Sequence, residues 1–570
     1  MVVDPLIYST FFANGLFDEV SAIAEDPNGQ IVVSGRTYDL QFPLIEGAYQ
    51  DTMYYGGTDP YAGYISKFTS DLYGLEFSTF FGNGEEGSEV AINSDGSIWW
   101  VGEGADSLFP LTANAFDTIN SGYDIGVAKL SPDGSTLLFG SYLGGEEHFQ
   151  WGIENFGDLA IDNRGNLYVT GSTQSASFPA TSNALMPEYV SEMNGFLASI
   201  STDGELRYST YFHGSSTDEI CVLSNIFVVN TDLLWITGYT QTGNLPTTPN
   251  AFDIEFNPDS SENPFANFFA LLDIAQNQII YCSYLHTSVT HVPWGNTDTL
   301  ILAGYTHNQP FSMPVGAYQH EIGSGNFTAY VLQLALPSTI VAGTFYGASY
   351  DNYLREVARS HDGTIVIAGL TNSFDLPLTP NAFDSVYCHE GEFNDGDGFV
   401  ARFSADFSSL LYSSYIGGCQ LDRIQSLITH GDTTYVVGKT ESNVTFPTTS
   451  DAMYPTAHTS LQVGFVSKVA TESVTPVESN PLYPSNFSLS AFPNPFNPTT
   501  KLSFSLPHLT NVMLKIHDIL GREVERVQLG QMTAGQHEFK VNGEAWASGI
   551  YFASLETPTR SQATKLLLLR

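Results

Sequence analysis

Tyr8-Ser9-Thr10-Phe11-Phe12 is the first of seven copies of one five-residue pattern in this chain. The others run over 77–81, 139–143, 208–212, 281–285, 342–346 and 412–416, and the third position is a hydroxyl every time: Thr10, Thr79, Ser141, Thr210, Ser283, Thr344 and Ser414. Successive copies start 69, 62, 69, 73, 61 and 70 residues apart. A period of that length means a repeat architecture, so the 570 residues hold one array of seven units plus a C-terminal remainder.

Each unit continues in the same order. An acidic loop leads into an apolar run such as 20–24 or 159–162, then into a tight turn such as Asp162-Asn163-Arg164-Gly165. Asn, Asp and Gly tolerate the positive φ of hairpin turns, so each cluster reads as a β-hairpin. The second hairpin strand ends in Gly-x-Thr (Gly35/Thr37, Gly171/Thr173, Gly238/Thr240, Gly304/Thr306, Gly369/Thr371, Gly438/Thr440), while the second unit has Gly102-Glu103-Gly104. A long loop with an apolar-Pro pair follows, then a third strand and a short turn into the next copy of the opening pattern. Four antiparallel strands in each of seven units predict an all-β chain, a seven-bladed β-propeller over residues 4–469. If the apolar run is the innermost strand, the stretch 8–12 has no preceding blade and is expected to complete the last one, leaving no open sheet edge.

Residues 162–173, Asp-Asn-Arg-Gly-Asn-Leu-Tyr-Val-Thr-Gly-Ser-Thr, resemble the core of the bacterial SBBP-type seven-bladed β-propeller repeat. The resemblance implies a propeller and often an exported protein, and it fixes no activity. Residues 470–486, rich in Pro, Ser, Thr and Glu, read as an extended linker. From 487 to 570 the character changes again. Pro493-Asn494-Pro495, Gly521-Arg522, Gly549-Ile550-Tyr551 and Lys565 before a terminal leucine run follow one another in order. This tail resembles the type A C-terminal sorting domain of type IX secretion cargo; the other reading is an ordinary Ig-like adhesion module. The resemblance implies a small Ig-like β-sandwich, the type IX machinery as partner, a secreted or outer-membrane surface-attached product, and an export signal once preceding Met1. It also implies oxidising surroundings, in which Cys388 and Cys419, in loops of adjacent units, are able to pair.

The chain carries 61 acidic against 19 basic residues, a formal charge of −42. The tail from residue 487 holds eight basic and six acidic residues, so the excess sits in the repeats. Such a surface repels phosphate backbones, and no nucleic-acid partner is expected. It suits salty water, cations or cationic partners. No apolar run is long enough for a transmembrane segment, and a monomer is expected. Cys221 and Cys282, in apolar or Tyr/Ser strands, read as free thiols.

The acidic and long apolar-Pro loops emerge on one face, where propellers usually bind ligands. The acidic loops carry Asp18, Glu19, Glu85, Glu86, Glu89, Glu146, Glu147, Asp218, Glu219, Asp351 and Asp422, either solvated acids or a carboxylate ring for Ca²⁺. A more local Ca²⁺ candidate is Glu392, Asn394, Asp395 and Asp397, where oxygen side chains alternate around glycines. Trp151 and Trp294, in or near loops of that face, are candidates to stack on a glycan, whereas Trp99 and Trp235 read as core. His213 and His286 end successive outer strands, which diverge outward, so a shared metal is not expected. No nucleophile elbow, His-Glu-x-x-His helix or phosphate loop occurs. The expectation is therefore a non-enzymatic surface binding protein for a glycan or protein ligand. The alternatives are a polysaccharide hydrolase or lyase with acids at the channel mouth, and a structural or adhesive surface-layer component.

Overall fold

The structure is a computed structural model. It describes residues 5–472 and 488–569, except 14, 16, 40, 54–61, 82–87, 106–107, 122–123, 147–153, 191, 216–219, 258–264, 290, 308, 389–395, 458–460, 507–509, 533–534 and 558–560. The chain divides into two compact units, Met1–Val474 and Thr475–Arg570. No helix is present among the described residues.

Among the described residues, the first unit holds seven four-stranded antiparallel sheets. Their first strands are Glu19–Glu25, Ser88–Ile92, Asn155–Ile161, Cys221–Asn230, His291–Gly295, Asn352–Arg359 and Asp422–His430. Each touches the next, and the last touches the first, so these are the innermost strands of a closed propeller. The strand Leu6–Phe11 lies at the outer edge of the sheet that starts with Asp422–His430, antiparallel to Val463–Ala470. The two ends of the array are thus joined by backbone hydrogen bonds.

The hydroxyl of the opening pattern has a specific task. Its oxygen accepts a backbone N–H from the long loop in all seven sheets: Tyr454 N to Thr10 at 2.8 Å, Gln50 N to Thr79 at 2.8 Å, Asp117 N to Ser141 at 3.0 Å, Met186 N to Thr210 at 2.8 Å, Asp253 N to Ser283 at 2.9 Å, Gln319 N to Thr344 at 2.9 Å and Asp384 N to Ser414 at 3.0 Å. The outermost strand therefore pins the long loop of its own blade, which leaves no buried loop amide unpaired at that point. Gly-x-Thr is explained in the same way. A Cβ on Gly35, Gly171, Gly238, Gly369 or Gly438 would fall on a carbonyl oxygen of the innermost strand (Glu19, Asn155, Val222, Tyr353 and Arg423 respectively), and one on Gly304 on the carbonyl oxygen of Ser288, just ahead of the innermost strand His291–Gly295. The innermost strand shifts register in each of these six sheets, and only glycine admits so close a backbone approach. In the second sheet no shift occurs between Ser88 and Ile92, and a Cβ on Gly102 would meet the Trp100 ring instead.

The core lies between neighbouring sheets. Trp99, Trp100 and Trp235 are fully buried in it. Phe12 is 0% exposed and packs its ring on Phe42, Tyr64 and Phe68 of the first sheet, in a cluster that also contains Val437 and Val466 of the last. Cys388 and Cys419 form a disulfide, and Cys221 and Cys282 are buried free thiols.

In the second unit, Ser488–Phe492, Thr499–Leu506 and Gly535–Asn542 form one sheet, while Glu523–Met532, Thr510–Asp518, Gly549–Glu556 and Ser561–Leu568 form the other. Leu502, Leu514, Ile516 and Leu566 meet in the core of this sandwich. The tail motifs close it. Asn494 Nδ2 donates to the Lys565 carbonyl at 2.6 Å and Leu567 N donates to Asn494 Oδ1 at 2.8 Å, while Thr500 Oγ1 donates to the Pro493 carbonyl at 2.7 Å. Pro495 follows in the same segment. Gly521 takes a φ of 76° in the turn where Arg522 Nε donates to Asp518 Oδ2 at 2.7 Å. Gly549 opens its strand, and Tyr551 donates its hydroxyl to the Ala547 carbonyl at 2.8 Å.

Removing the Phe12 ring should cost about 3–5 kcal/mol, as for other buried aromatics. Because that ring bridges the first and last sheets, Phe12→Ala is expected to lower the denaturation midpoint of the whole propeller in one transition. A separate early transition confined to one sheet would show that closure does not depend on it.

Candidate functional site

The register shifts fix what faces the propeller axis. Opposite the residue that precedes the motif glycine stand Ala22, Glu89, Asp158, Asn225, His291, Glu356 and Ser426, one on each innermost strand and at equivalent register. They form an axial ring. Asp158 Oδ1 accepts the N–H of Leu159 at 2.7 Å, and its Oδ2 accepts that of Ile226, on the neighbouring innermost strand, at 2.9 Å. Leu159 N also lies 3.4 Å from Glu89 Oε2. Glu356 Oε1 accepts the N–H of Val357 at 2.9 Å and lies 3.4 Å from His291 Nε2, while Ser426 Oγ donates to Oε2 at 3.4 Å. His291 Nδ1 is buried and has no hydrogen-bond partner among the described residues.

The ring concentrates titratable groups where solvation is poor. Burial, then Asp158 beside it, pushes the Glu89 carboxyl well above the ordinary range, and a hydrogen bond links the two acids. Asp158 is raised by burial to about 6. Burial raises Glu356 to about 8 and lowers His291, the latter against the pull of Asp158. Glu356 also acts electrostatically on Glu89, from a sheet that is not its neighbour, as expected for groups facing each other across an axis. At neutral pH the ring thus offers protonated Glu89 and Glu356, a largely ionised Asp158, a neutral imidazole and backbone N–H groups. That set suits hydroxyl-rich or cationic groups, and carboxyls held protonated near neutrality are also what acid catalysis requires.

Of the acidic-loop residues, read as either solvated acids or a carboxylate ring, Asp18, Glu19, Asp351 and Asp422 are bonded to protein groups. Asp18 is fully buried; it accepts the N–H groups of Gly15 and Tyr38, both at 2.6 Å, and the Thr37 hydroxyl at 2.8 Å. Glu19 lies 2.8 Å from Lys439 and 3.6 Å from Arg36. Asp351 accepts the N–H of Asn326 at 2.8 Å, and Asp422 those of Gly418 at 2.7 Å and the Ser442 hydroxyl at 2.8 Å. These acids close loops, because the threonine of Gly-x-Thr and nearby amides need acceptors once buried. Glu85, Glu86, Glu147, Asp218 and Glu219 lie outside the described residues. Among the described residues, no group of three or more His, Cys, Asp or Glu side chains is arranged to hold a metal ion.

Of the local Ca²⁺ candidates, Glu392, Asn394 and Asp395 lie outside the described residues, and Asp397 is a buried first residue of the strand Asp397–Phe403. Trp151 also lies outside them. Trp294 stands on an innermost strand rather than in a long loop. It is one residue from the short-turn end at Gly295, half-buried, with the Arg359 guanidinium 4.8 Å over its ring. Pro293 interrupts strand alternation there, so the stretch reads as lying in or near a loop. His213 and His286 are held by their own loops, His213 at the carbonyls of Gly214 and Glu188 and His286 at Asp253. Asp158 and Glu356 were missed by sequence reasoning. Their signal is a charged residue inside an apolar strand at the repeat spacing.

Residues 490–569 match the secretion system C-terminal sorting domain, and residues 157–179 match the β-propeller repeat. The tail is a type IX sorting domain, and it follows a β-propeller. The sorting domain marks the product for secretion and attachment at the outer-membrane surface, and implies interaction with the secretion machinery. No helix among the described residues is long and apolar enough to cross a membrane. No curated protein matches the chain. Among solved structures, a protein of unknown function from Dyadobacter fermentans is 11% identical with a TM-score of 0.32, covering 81% of this chain and 98% of that one. PorZ, a surface component of the type IX secretion system of Porphyromonas gingivalis, is 10% identical with a TM-score of 0.18, covering 100% of this chain and 86% of that one. At scores this low, neither likeness bears on what the chain binds or does.

The raised carboxyls set the direction of a pH dependence. Folding holds protons on Asp158 and Glu356 that the unfolded chain releases near pH ~4. Their contribution to stability is complete below that pH and is lost as pH rises through about 6 and about 8. The melting temperature is expected to fall between pH 5 and pH 9, by more than about 5 °C, and Glu356→Gln should flatten the limb above pH 7. A melting temperature that rises with pH, or an unchanged profile in the variant, would contradict the protonated ring.

Proposed function

We propose that the protein is a surface-delivered binding propeller that presents its long-loop face to a glycan or protein ligand. The observation that supports this reading is the hydroxyl anchoring of the long loop in all seven sheets. Loops held in one conformation before a ligand arrives lose little entropy on binding. Bonded to the outermost strand, they brace the outer edge of each sheet, while the axial ring inside offers backbone donors and the protonated carboxyls of Glu89 and Glu356 to hydroxyl groups. The sorting domain directs the product to the outer-membrane surface, where polysaccharides and surface proteins are the available ligands.

One observation favours a second reading, a polysaccharide hydrolase or lyase. Glu356, raised to about 8, and Asp158, raised to about 6, have the protonation states of an acid and a base near neutrality. Incubating the full chain with a panel of bacterial and marine polysaccharides separates the readings. The expected outcome is saturable retention without new reducing or unsaturated ends. New ends that vanish in Glu356→Gln would establish the enzyme instead, and neither retention nor new ends would leave a structural surface component.

A further inference from the structure

At the junction of the sixth and seventh sheets two carboxylates are buried side by side. Asp397, 1% exposed, opens the third strand of one sheet, and Asp422, 0% exposed, opens the innermost strand of the next. Asp422 N donates to the Gly396 carbonyl at 2.8 Å, so the two aspartates hang from one backbone bridge. Each carboxylate is half satisfied. Asp397 Oδ2 accepts the N–H of Cys388 at 3.3 Å, and Asp422 Oδ2 is held by Gly418 N and Ser442 Oγ. Asp397 Oδ1 and Asp422 Oδ1 are both buried with no hydrogen-bond partner. A Cβ on Gly417 would stand 3.1 Å from Asp397 Oδ1 and 2.8 Å from Asp422 Oδ2, so glycine keeps the space against both carboxylates free of side chain.

An orphaned carboxyl oxygen is costly in a protein interior; burial and then Asp422 raise Asp397 to about 9, and burial raises Asp422 to about 7, so a cation bound between them replaces the proton that Asp397 otherwise holds near neutrality. Asp18 shows that the fold is able to satisfy an acid fully at the start of an innermost strand, with three donors on its two oxygens. The junction of the sixth and seventh sheets therefore departs from a solution the same repeat uses elsewhere. The Cys388–Cys419 disulfide ties the segment that caps Asp397 to the turn that caps Asp422. Cys388 donates its N–H to Asp397, and Cys419 follows Gly418 directly. The covalent link thus holds both carboxylates in one geometry.

We propose that Asp397 Oδ1 and Asp422 Oδ1 ligate a hard divalent cation, Ca²⁺, with water completing its shell, at a site fixed by the Cys388–Cys419 disulfide. Ca²⁺ takes six to eight oxygen ligands, and sites with few protein carboxylates in extracellular modules bind in the range of about 10⁻⁴ to 10⁻³ M. The site is separate from the axial ring and does not rest on the ligand-binding reading. Its effect is to join two sheets through one ion in a secreted product, where calcium is abundant and disulfides persist.

The test is thermal unfolding of the full chain in chelator and in millimolar CaCl₂, with NaCl matched for ionic strength, together with calorimetric titration of Ca²⁺. In the wild type, Ca²⁺ should raise the melting temperature beyond the NaCl control. Asp397→Asn supplies an amide donor for the orphaned oxygen of Asp422, so it should fold in chelator at least as stably as the wild type and lose the Ca²⁺ response. Asp18→Asn should be less stable but keep that response. Cys388→Ser should weaken it. A wild type that responds to CaCl₂ no more than to NaCl, or an Asp397→Asn protein that keeps the full response, would overturn the site.

Discussion

A carbonyl oxygen of the innermost strand, pressed into the space where the second strand would carry a side chain, is the constraint on which the propeller's interior depends. It occurs at Gly35, Gly171, Gly238, Gly369 and Gly438, with the Ser288 carbonyl just ahead of the innermost strand playing that part at Gly304, and a shift of register is present in each of those sheets. The shift frees an inward N–H group and turns the following residue toward the axis. Leu159, Ile226 and Val357 offer such N–H groups, and Asp158 and Glu356 accept them. Without the glycine the strands would separate, the shift would have no room, and the axial ring would have no floor of donors. The acids there thus stabilise the bulges while keeping raised affinity for protons.

The same division runs through the molecule's charge. A formal −42 suggests a shell of solvated carboxylates. Several of the acids are instead interior acceptors: Asp18 and Asp422 at the mouths of innermost strands, Glu154 under the Thr173 hydroxyl, Asp158 and Glu356 on the axis. Burial raises the pKa of each of these. The effective charge near neutrality is therefore smaller than the formal one, and the repulsion that so many acids would impose on a compact fold is reduced.

The period of the opening pattern made the sheets legible because each copy must satisfy the same local demands. The hydroxyl at its third position recurs since a loop amide beneath it needs an acceptor, and Thr10 and Ser414 do identical work at opposite ends of the array. The second unit's Gly102-Glu103-Gly104 broke the motif for a visible reason, since its innermost strand runs without a shift and Trp100 fills the space. The axial ring was hidden for the opposite reason. Its residues differ from blade to blade, Ala22 against Asp158 against His291, and repetition conveys only what stays the same. Trp294 misled because its own blade departs most from the repeat, with Pro293 inside the innermost strand.

By itself the sequence determined the all-β class, the repeat count, the change of character at the tail and the sorting signal within it, since all of these are carried by local pattern: turn residues, strand alternation and motif order. Only the tertiary structure decided that Glu89, Asp158, His291 and Glu356 meet on one axis, that Asp397 and Asp422 share a buried junction, and that the acids of the loops are bonded rather than displayed. Those facts depend on the packing of each sheet against the next and, for Glu89 facing Glu356, on closure of the ring, at a register no local pattern specifies. The physical cause is that burial and charge are properties of neighbours, and the neighbours are chosen when the last sheet accepts the strand Leu6–Phe11.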